Sequence, residues 1–419
     1  MDNHYLADNC LISFDSRKTG TNNNVLVVGT NGCGKTMSVV EPLILHTMDH
    51  SLVVSLSKRT LVDKYMKVVK NNGFKVIDLN FASPQISPYG FDPLHFIKDD
   101  LDIRHLAESI SLDPGKSSDP FWENTAIDMI SGLIAYEIQV SKREKRYPSL
   151  KNIVDMANRC KIVKGDFSDI ASTSLDKYFL MEERRNPDNY ASKCWKTITT
   201  IPARTLGTII TCVSTAISST FPESIIKLSE NKCIDINKLG DEKTVLFLTT
   251  SAVNTALTNY MNIFYSILFK QLFEHAENDF KDSRLAVPVH VVCDDFACGA
   301  TIPDFDKYIS IFRAKGISTT LLIQAESQLR TLYRHSQADT IINNCDTYLY
   351  MGGMDPDTCL SISKRADLPF SDVMNMPVTN VIVLHRGSKP IVSERYKTLE
   401  DPDYIRYILD YNEMNLKAC

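Results

Sequence analysis

Residues 29–36 form a glycine loop that constrains the fold more than any other feature of the chain. They read Gly-Thr-Asn-Gly-Cys-Gly-Lys-Thr, the pattern G-x-x-x-x-G-K-[ST], between a β-type run at 24–28 and residues 37–41, which can open a helix. The order of strand, loop and helix separates a phosphate-binding P-loop from a chance match or a glycine-rich turn with an incidental lysine. Its backbone N–H groups converge on a phosphate, and the helix N-terminus adds partial positive charge. The sequence predicts that a nucleoside triphosphate binds to Gly29, Thr30, Asn31, Gly32, Cys33, Gly34, Lys35 and Thr36.

A P-loop needs acidic partners that hold Mg²⁺ and activate water. We expect Lys35 to reach the β- and γ-phosphates and the Thr36 hydroxyl to bind Mg²⁺. A second strand, predicted at 289–293, ends in two acidic residues. Asp294 is the candidate for the metal, and Asp295 occupies the general-base position with a side chain one methylene shorter than that of Glu. The alternative is a strand that ends in an ordinary polar turn.

Short β-type runs alternate with helical patterns toward both ends of the chain. Several runs are continuously apolar, as in a parallel sheet covered on both faces. The predicted strands are 24–28, 52–56, 74–78, 244–249, 289–293, 318–323, 347–351 and 380–384. Residues 254–280 carry apolar residues at three- and four-residue steps, which predicts a helix with one buried face.

The middle of the chain, from 98 to 231, contains few β-type runs. Asp119 followed by Pro120 is typical of a helix start, and Ser149 can cap a second helix. We therefore predict an α/β fold with a mostly parallel central sheet, built from residues 1–97 and 232–419. An all-α domain is predicted to be inserted between them, at 98–231.

Composition and charge exclude several classes of protein. The 11 cysteines include no C-x-x-C pair, so neither a zinc site nor a secreted disulfide framework fits, and a reducing cytosol is expected. The N-terminus lacks the features of a signal peptide, and no uncharged apolar run approaches the ~18 residues of a membrane helix. We predict a soluble, cytoplasmic protein.

The chain gives no sign of a global nucleic-acid surface. Its net charge is −5, so DNA contact would need a local basic surface or a channel formed by several subunits. The basic run 142–147 is one candidate, and its alternative is a solvated helix end. Residues 237–240 carry glycine where a guanine-specific N-K-x-D motif needs its acid, so ATP is the predicted nucleotide.

Four segments carry a resemblance to a known family. They are CDDFACGATIPDFDKYISIFRAKGISTTLLIQAESQLRTLY, DPFWENTAIDMISGLIAY, LGDEKTVLFLTT and NNCDTYLYMGGMDPDTCLSIS. In order and spacing, from about residue 8 to about residue 385, the chain resembles type IV secretion coupling proteins of the TraG/TraD type. These are hexameric ATPases that feed DNA into conjugation channels. The resemblance is strongest to TraG-type members on mobile elements of Gram-positive bacteria, and it implies a RecA-like P-loop NTPase.

The resemblance also implies roles for individual residues. Asp294 matches the metal-associated acid, whereas Asp295 stands where the family usually has Glu. Gln324, at the end of the strand 318–323, matches a glutamine that senses the γ-phosphate or positions water. Its alternative is a polar strand end. Arg313 matches an arginine that reaches a neighbouring subunit's nucleotide, and its alternative is a solvated arginine at a helix end.

A further departure follows the second strand. Residues 56–60 read Leu-Ser-Lys-Arg-Thr where the family usually has Asp-Pro-Lys-Gly-Glu, so only Lys58 is retained.

The implied partners are a relaxase bound to single-stranded DNA and the proteins of a type IV secretion channel, with ATP and Mg²⁺ as cofactors and a homo-hexamer as the active form. Family members generally carry membrane helices before the P-loop domain, whereas here the P-loop strand begins at Asn24. We expect either a truncated chain or a form brought to the inner face of the membrane by an anchoring partner. Two other functions stay open: another hexameric DNA pump, or a docking platform that binds ATP and turns over little.

Overall fold

The computed structural model of the 419-residue chain describes residues 3–56, 58–110, 120–164, 171–250, 255–294, 296 and 301–409. The chain divides into two compact units. The sheet unit comprises Met1–Ala82, Ile234–Ala252 and Leu268–Cys419, and the helical unit comprises Ser83–Cys233 and Val253–Ile267. The narrower inserted domain, 98–231, stays a prediction.

Strands in the described residues, in chain order, are β1 Asn3–Ala7, β2 Cys10–Ser13, β3 Val25–Val28, β4 Ser51–Leu56, β5 Lys75–Asn80, β6 Ile162–Lys164, β7 Ser172–Thr173, β8 Thr244–Thr249, β9 Val289–Cys293, β10 Ile317–Ile323, β11 Thr347–Tyr350, β12 Asn380–His385 and β13 Ile391–Glu394. All eight predicted strands occur, and their ends differ from the prediction by at most two residues. The strands β1, β2, β6, β7 and β13 were not predicted.

A nine-stranded sheet forms the centre of the sheet unit, in the order β13-β12-β11-β3-β10-β9-β4-β8-β5. The strands from β11 to β5 are parallel, and β12 and β13 are antiparallel at one end. Successive residues of β3 point to opposite faces of the sheet, and all of Val25–Val28 are 0% exposed, so both faces are covered. The predicted α/β fold with a mostly parallel sheet is confirmed.

Helices in the described residues are α1 Ser16–Thr19, α2 Glu41–Leu45, α3 Arg59–Asn71, α4 Asp100–Ser109, α5 Pro120–Glu144, α6 Leu150–Arg159, α7 Asp176–Arg185, α8 Tyr190–Ile198, α9 Ala203–Thr220, α10 Glu223–Ser229, α11 Lys238–Asp241, α12 Thr255–Asp279, α13 Phe305–Lys315, α14 Glu326–Leu332, α15 His335–Asn343, α16 Pro356–Ala366, α17 Phe370–Met374 and α18 Pro402–Tyr404. Shorter 3₁₀ and π turns are Pro84–Ile86, Pro93–Phe96, Thr398–Glu400, Thr36–Val40 and Ile405–Leu409. The helix predicted at 254–280 is α12, and Pro120 begins α5 as predicted. Asp119 lies outside the described residues.

Helices dominate the helical unit, with one short antiparallel pair, β6 and β7. Ser149 lies directly before α6, but its side chain makes no capping hydrogen bond. Its backbone N–H instead donates to Glu137 Oε1 at 2.8 Å, so a buried carboxylate satisfies this helix start. In the part of the chain that is described, no single helix has the length and apolar composition to cross a membrane. Only α9 and α10 taken together, bent by 60°, meet that test.

Candidate functional site

The P-loop connects the end of β3 to the π turn Thr36–Val40. Gly34 has φ +89°, a left-handed backbone conformation that residues other than glycine rarely adopt. Lys35 folds back into the loop, where Nζ donates to the carbonyl oxygens of Gly29 at 2.6 Å and Thr30 at 3.2 Å. Lys35 is only 8% exposed, and no described carboxylate forms an ion pair with it. A buried ammonium without a counter-charge favours an anionic ligand at this position.

Three neighbouring parallel strands bring the predicted site residues to one edge of the sheet. The strand β10 lies between β3 and β9, with Ile323 paired with Val28. Gly29, Gln324 and Asp294 each follow the last residue of one of these strands, at their carboxyl edge. Ligands of α/β sheets bind outside this edge.

Hydrogen bonds fix the backbone of these residues. Gly29 N–H donates to Ile323 O at 3.1 Å, which joins the start of the P-loop to the end of β10. Asp294 N–H donates to Ser55 Oγ at 2.8 Å, and Gln324 N–H donates to Gln328 Oε1 at 3.3 Å. Asp295, the predicted general base, lies outside the described residues.

A loop after β11, on the other side of β3, was missed as part of the site. Thr30 N–H donates to Gly352 O at 3.2 Å, and Met351 N–H donates to Val28 O at 2.7 Å. Gly352 has φ +91°. These hydrogen bonds join the loop after β11 to the start of the P-loop and the end of β3. The signal for this loop in the sequence was a Gly-Gly pair directly after the predicted strand 347–351.

Arg395 was also missed, although it contacts the P-loop directly. Its Nη1 donates to Cys33 O at 3.0 Å from the chain segment after β13. The two residues are 362 positions apart, and no local pattern in the sequence connects them.

Arg313, in contrast, lies at the opposite, amino edge of the same sheet. It is near the end of α13, shortly before β10 begins, and its Nη2 donates to Ser16 O at 3.3 Å. With Arg17 and Arg284 it lines a cavity of about 620 Å³ that also contacts Val289 and Ile317, the first residues of β9 and β10. The structure therefore does not bring Arg313 to the P-loop of its own chain.

Acidic residues also line this cavity, namely Asp15, Asp49 and Asp282. Arg284 Nη1 donates to Arg313 O at 2.8 Å, and no ion pair within 4.0 Å involves Arg17, Arg284 or Arg313 in the described parts of the chain. Burial lowers the pKa of the Arg284 guanidinium, and the charge of Arg17 lowers it further, against the opposing effect of Asp282 and Asp15. The carboxylate of Asp49 faces Lys243 instead, at 3.6 Å.

Two other basic segments have structural partners. Arg59, in the segment that departs from the family pattern, binds Asp78 through both terminal nitrogens, and this bond raises the pKa of Arg59. Ser57, beside it, lies outside the described residues. In the run 142–147, Arg143 pairs with Glu182 at 2.8 Å and Arg146 with Glu137 at 2.6 Å. These arginines stabilise the helical unit, which favours the solvated helix end over a nucleic-acid contact.

Comparisons with known proteins agree with this geometry. The family model for type IV secretory system conjugative DNA transfer matches residues 4–367, and a search of curated proteins finds no significant match. The chain is similar to the bacterial conjugative coupling protein TrwBdeltaN70 in complex with sulphate, with TM-score 0.70 and 14% identity over 96% of this chain and 92% of that one.

Two further solved structures are similar over nearly their whole length. Plasmid coupling protein TrwB in complex with the GTP analogue GDPNP has TM-score 0.63 and 16% identity, covering 96% of this chain and 97% of that one. VirB4 of Thermoanaerobacter pseudethanolicus has TM-score 0.57 and 12% identity, covering 96% and 97%. These likenesses confirm the predicted RecA-like P-loop fold.

Proposed function

The chain belongs to the family of type IV secretory system conjugative DNA transfer proteins, and from this premise we propose that it is an ATP-dependent coupling protein. It recruits a relaxase bound to single-stranded DNA and drives the strand through a type IV secretion channel. The observation that carries the proposal is the buried Lys35 ammonium, whose partners among the described residues are carbonyl oxygens of a P-loop at the carboxyl edge of the sheet.

The residues of this edge fit a nucleotide and Mg²⁺. The loop Gly29–Thr36 binds the phosphates through its N–H groups, and Lys35 neutralises their charge. The hydroxyl of Thr36 and the carboxylate of Asp294 offer the oxygen ligands that Mg²⁺ prefers. ATP is the proposed nucleotide and Mg²⁺ the metal, in keeping with related plasmid coupling protein TrwB, which was solved in complex with ADP and Mg²⁺.

Hydrolysis is assigned to three further residues. Gln324, which follows the strand beside β3, positions the attacking water or senses the γ-phosphate, and Asp295 accepts a proton from that water. Arg313 stabilises the transition-state charge on a neighbouring subunit's nucleotide. Its position at the amino edge supports action in trans, because it lies away from its own P-loop.

The arrangement in the cell follows from the same proposal. Subunits assemble into a homo-hexamer at the inner face of the cell membrane, held there by an anchoring partner or by a membrane segment. The helical domain 98–231 contacts the relaxase–DNA substrate, and the ring passes the strand to the channel proteins.

Lys35→Ala tests the proposal. We expect conjugative transfer to be lost and affinity for ATP to fall roughly a hundredfold, because charge-assisted bonds to the phosphates disappear. The control is Lys70→Ala, which removes the same charge from an exposed position on α3. Transfer at the wild-type level by Lys35→Ala would exclude the motor function.

A low-turnover docking platform is the second candidate, favoured by Asp295 in place of the family's Glu. Steady-state ATP hydrolysis with single-stranded DNA, measured beside Asp295→Glu, separates the two candidates. Robust wild-type turnover supports the motor. A large gain in the variant, because the longer carboxylate reaches the water, supports the platform.

A further inference from the structure

The C-terminal hairpin of the sheet delivers an arginine to the P-loop. Strand β13 pairs with β12 at the edge of the sheet, and the backbone N–H of Arg395 still donates to Thr379 O at 2.8 Å. The side chain then extends to the P-loop, where Nη1 donates to Cys33 O at 3.0 Å.

The guanidinium approaches the loop closely. A Cβ added to Gly34 would lie 2.8 Å from Arg395 Nη1, so the end of the arginine side chain would have to shift to make room for it. Gly34 is the residue directly before Lys35, so the guanidinium is adjacent to the N–H groups that turn toward a phosphate.

The positive charge of Arg395 has no ion-pair partner among the described residues. The adjacent acid, Glu394, is bound by Lys397 at 2.7 Å. A guanidinium has five N–H donors, of which one is used here, by Cys33 O. Within the described parts of the chain, Arg395 and Lys35 are therefore two cations whose side-chain partners are carbonyl groups of the same loop.

The segment after Arg395 is anchored to the helix that the P-loop opens. Thr398 Oγ1 donates to Met37 O, in the π turn after Lys35. His46, which ends α2, contacts Asp401 Oδ2 through Nε2 at 2.6 Å. Because both anchors join the same segment to the P-loop helix, the chain that carries Arg395 is fixed beside the P-loop.

We propose that Arg395 contacts the phosphates of the nucleotide bound to its own chain, as a second cation in cis beside Lys35. The proposal rests on the P-loop being the nucleotide site. It assigns to the C-terminal hairpin a part in nucleotide binding, separate from the action of Arg313 on a neighbouring copy.

Three substitutions test this role through binding alone. Arg395→Gln keeps an N–H donor for Cys33 O and loses the charge, Arg395→Lys keeps the charge, and Arg395→Ala loses both. The control is Lys389→Gln, which removes one charge from an exposed position on the same hairpin. Affinities for fluorescent ADP and for a non-hydrolysable ATP analogue are measured with Mg²⁺, and thermal unfolding without nucleotide verifies that each variant folds.

Arg395→Gln is expected to weaken both ligands by about tenfold to a hundredfold, and Arg395→Lys by much less, since charge-assisted bonds are the stronger ones. The wild-type affinity should also fall more steeply with salt than that of Arg395→Gln. Binding by Arg395→Gln within twofold of wild type would overturn the proposal, because the hydrogen bond to Cys33 alone would then explain the contact. Lys35→Ala distinguishes failure of this proposal from failure of the proposed nucleotide site. If Lys35→Ala also binds both nucleotides normally, the P-loop itself is not the nucleotide site.

Discussion

Both edges of the nine-stranded sheet carry an arginine, but the P-loop lies at one of them, the carboxyl edge. At the carboxyl edge, Lys35 and Arg395 contact carbonyl groups of the P-loop. At the amino edge, Arg313 Nη2 donates to the carbonyl oxygen of Ser16. The seven residues of β10 separate the edges by about 20 Å, far beyond hydrogen-bond distance.

This difference indicates how the proposed catalytic groups are divided between the two edges of the sheet. The carboxyl edge holds the groups proposed to bind the nucleotide, and the amino edge holds an exposed arginine that forms no ion pair among the described residues. One chain thus contains both kinds of group but does not bring them together. A second copy, with its amino edge against the first copy's P-loop, would complete the site.

The largest expected effect is that of Arg313→Ala. We expect DNA-stimulated turnover to fall about a thousandfold or more, because an arginine supplied in trans stabilises transition-state charge. Nucleotide affinity of the single subunit should not change, since Arg313 lies at the other edge. The matched control is Lys307→Ala, an exposed cation on the same helix, α13.

A mixture of two inactive variants tests whether Arg313 acts on the nucleotide of a neighbouring copy. Lys35→Ala and Arg313→Ala subunits should regain turnover when combined, because some interfaces then pair an intact P-loop with an intact Arg313. If the mixture gains nothing while both variants still assemble, the trans arrangement is wrong.

Gln324→Ala is expected to have the next largest effect. Loss of the amide at the end of β10 should lower turnover by about a hundredfold, within the range for groups that position or deprotonate water. Affinity for ATP should change little. The control is Gln337→Ala on α15, and single-turnover hydrolysis is the measurement. If Gln324→Ala hydrolyses ATP at the wild-type rate, Gln324 is a polar strand end without a role in hydrolysis.

Asp294→Asn should act through the metal. We expect the Mg²⁺ concentration for half-maximal turnover to rise about tenfold to a hundredfold, as for carboxylates that orient metal ligands. Asp282→Asn removes an acid from the amino-edge cavity and should leave the Mg²⁺ requirement unchanged. The same Mg²⁺ requirement in wild type and Asp294→Asn would argue against a metal role.

The sequence was sufficient to predict what is local in this fold. The P-loop follows a continuous sequence motif, and the strands β3, β4, β8, β9 and β10 are buried at every position. Such strands can be recognised from the sequence as short runs bounded by turns. Their carboxyl ends converge because parallel strands in one sheet share an edge, so Asp294 and Gln324 lie at the same edge as the P-loop, while their roles stay predictions.

Features that depend on distant contacts could not be predicted. Strand β13 has exposed Ile391 and Val392, so it carries no alternating pattern of burial, and Arg395 reaches Cys33 only through the fold. Arg59 belongs to the departure at residues 56–60, and its partner Asp78 lies on β5, the strand that follows α3 in the chain. In each case the relevant neighbour is set by tertiary packing rather than by spacing along the chain.

The smallest expected effect is a loss of stability in acid at the amino end of β9. His290 lies there between Ser318 Oγ at 2.7 Å and Thr320 Oγ1 at 2.8 Å. Burial, with His4 and His50 nearby, holds the pKa of His290 well below its usual value. The neutral form is therefore native, so its stabilising effect is present above the unfolded pKa of about 6.5 and is lost as the pH falls below that value.

Urea unfolding at pH 8, 7, 6 and 5 measures this loss, which for one proton is at most about 1.4 kcal/mol per pH unit. His290→Gln should flatten the acid side of the profile. His275→Gln is the control of opposite sign: burial lowers the pKa of His275, but Asp241 and Asp279 outweigh it and raise that pKa. The stability that protonated His275 supplies is present at low pH and lost as the pH rises, so removing it leaves the acid loss in place. An acid loss that persists unchanged in His290→Gln would place its cause elsewhere in the chain.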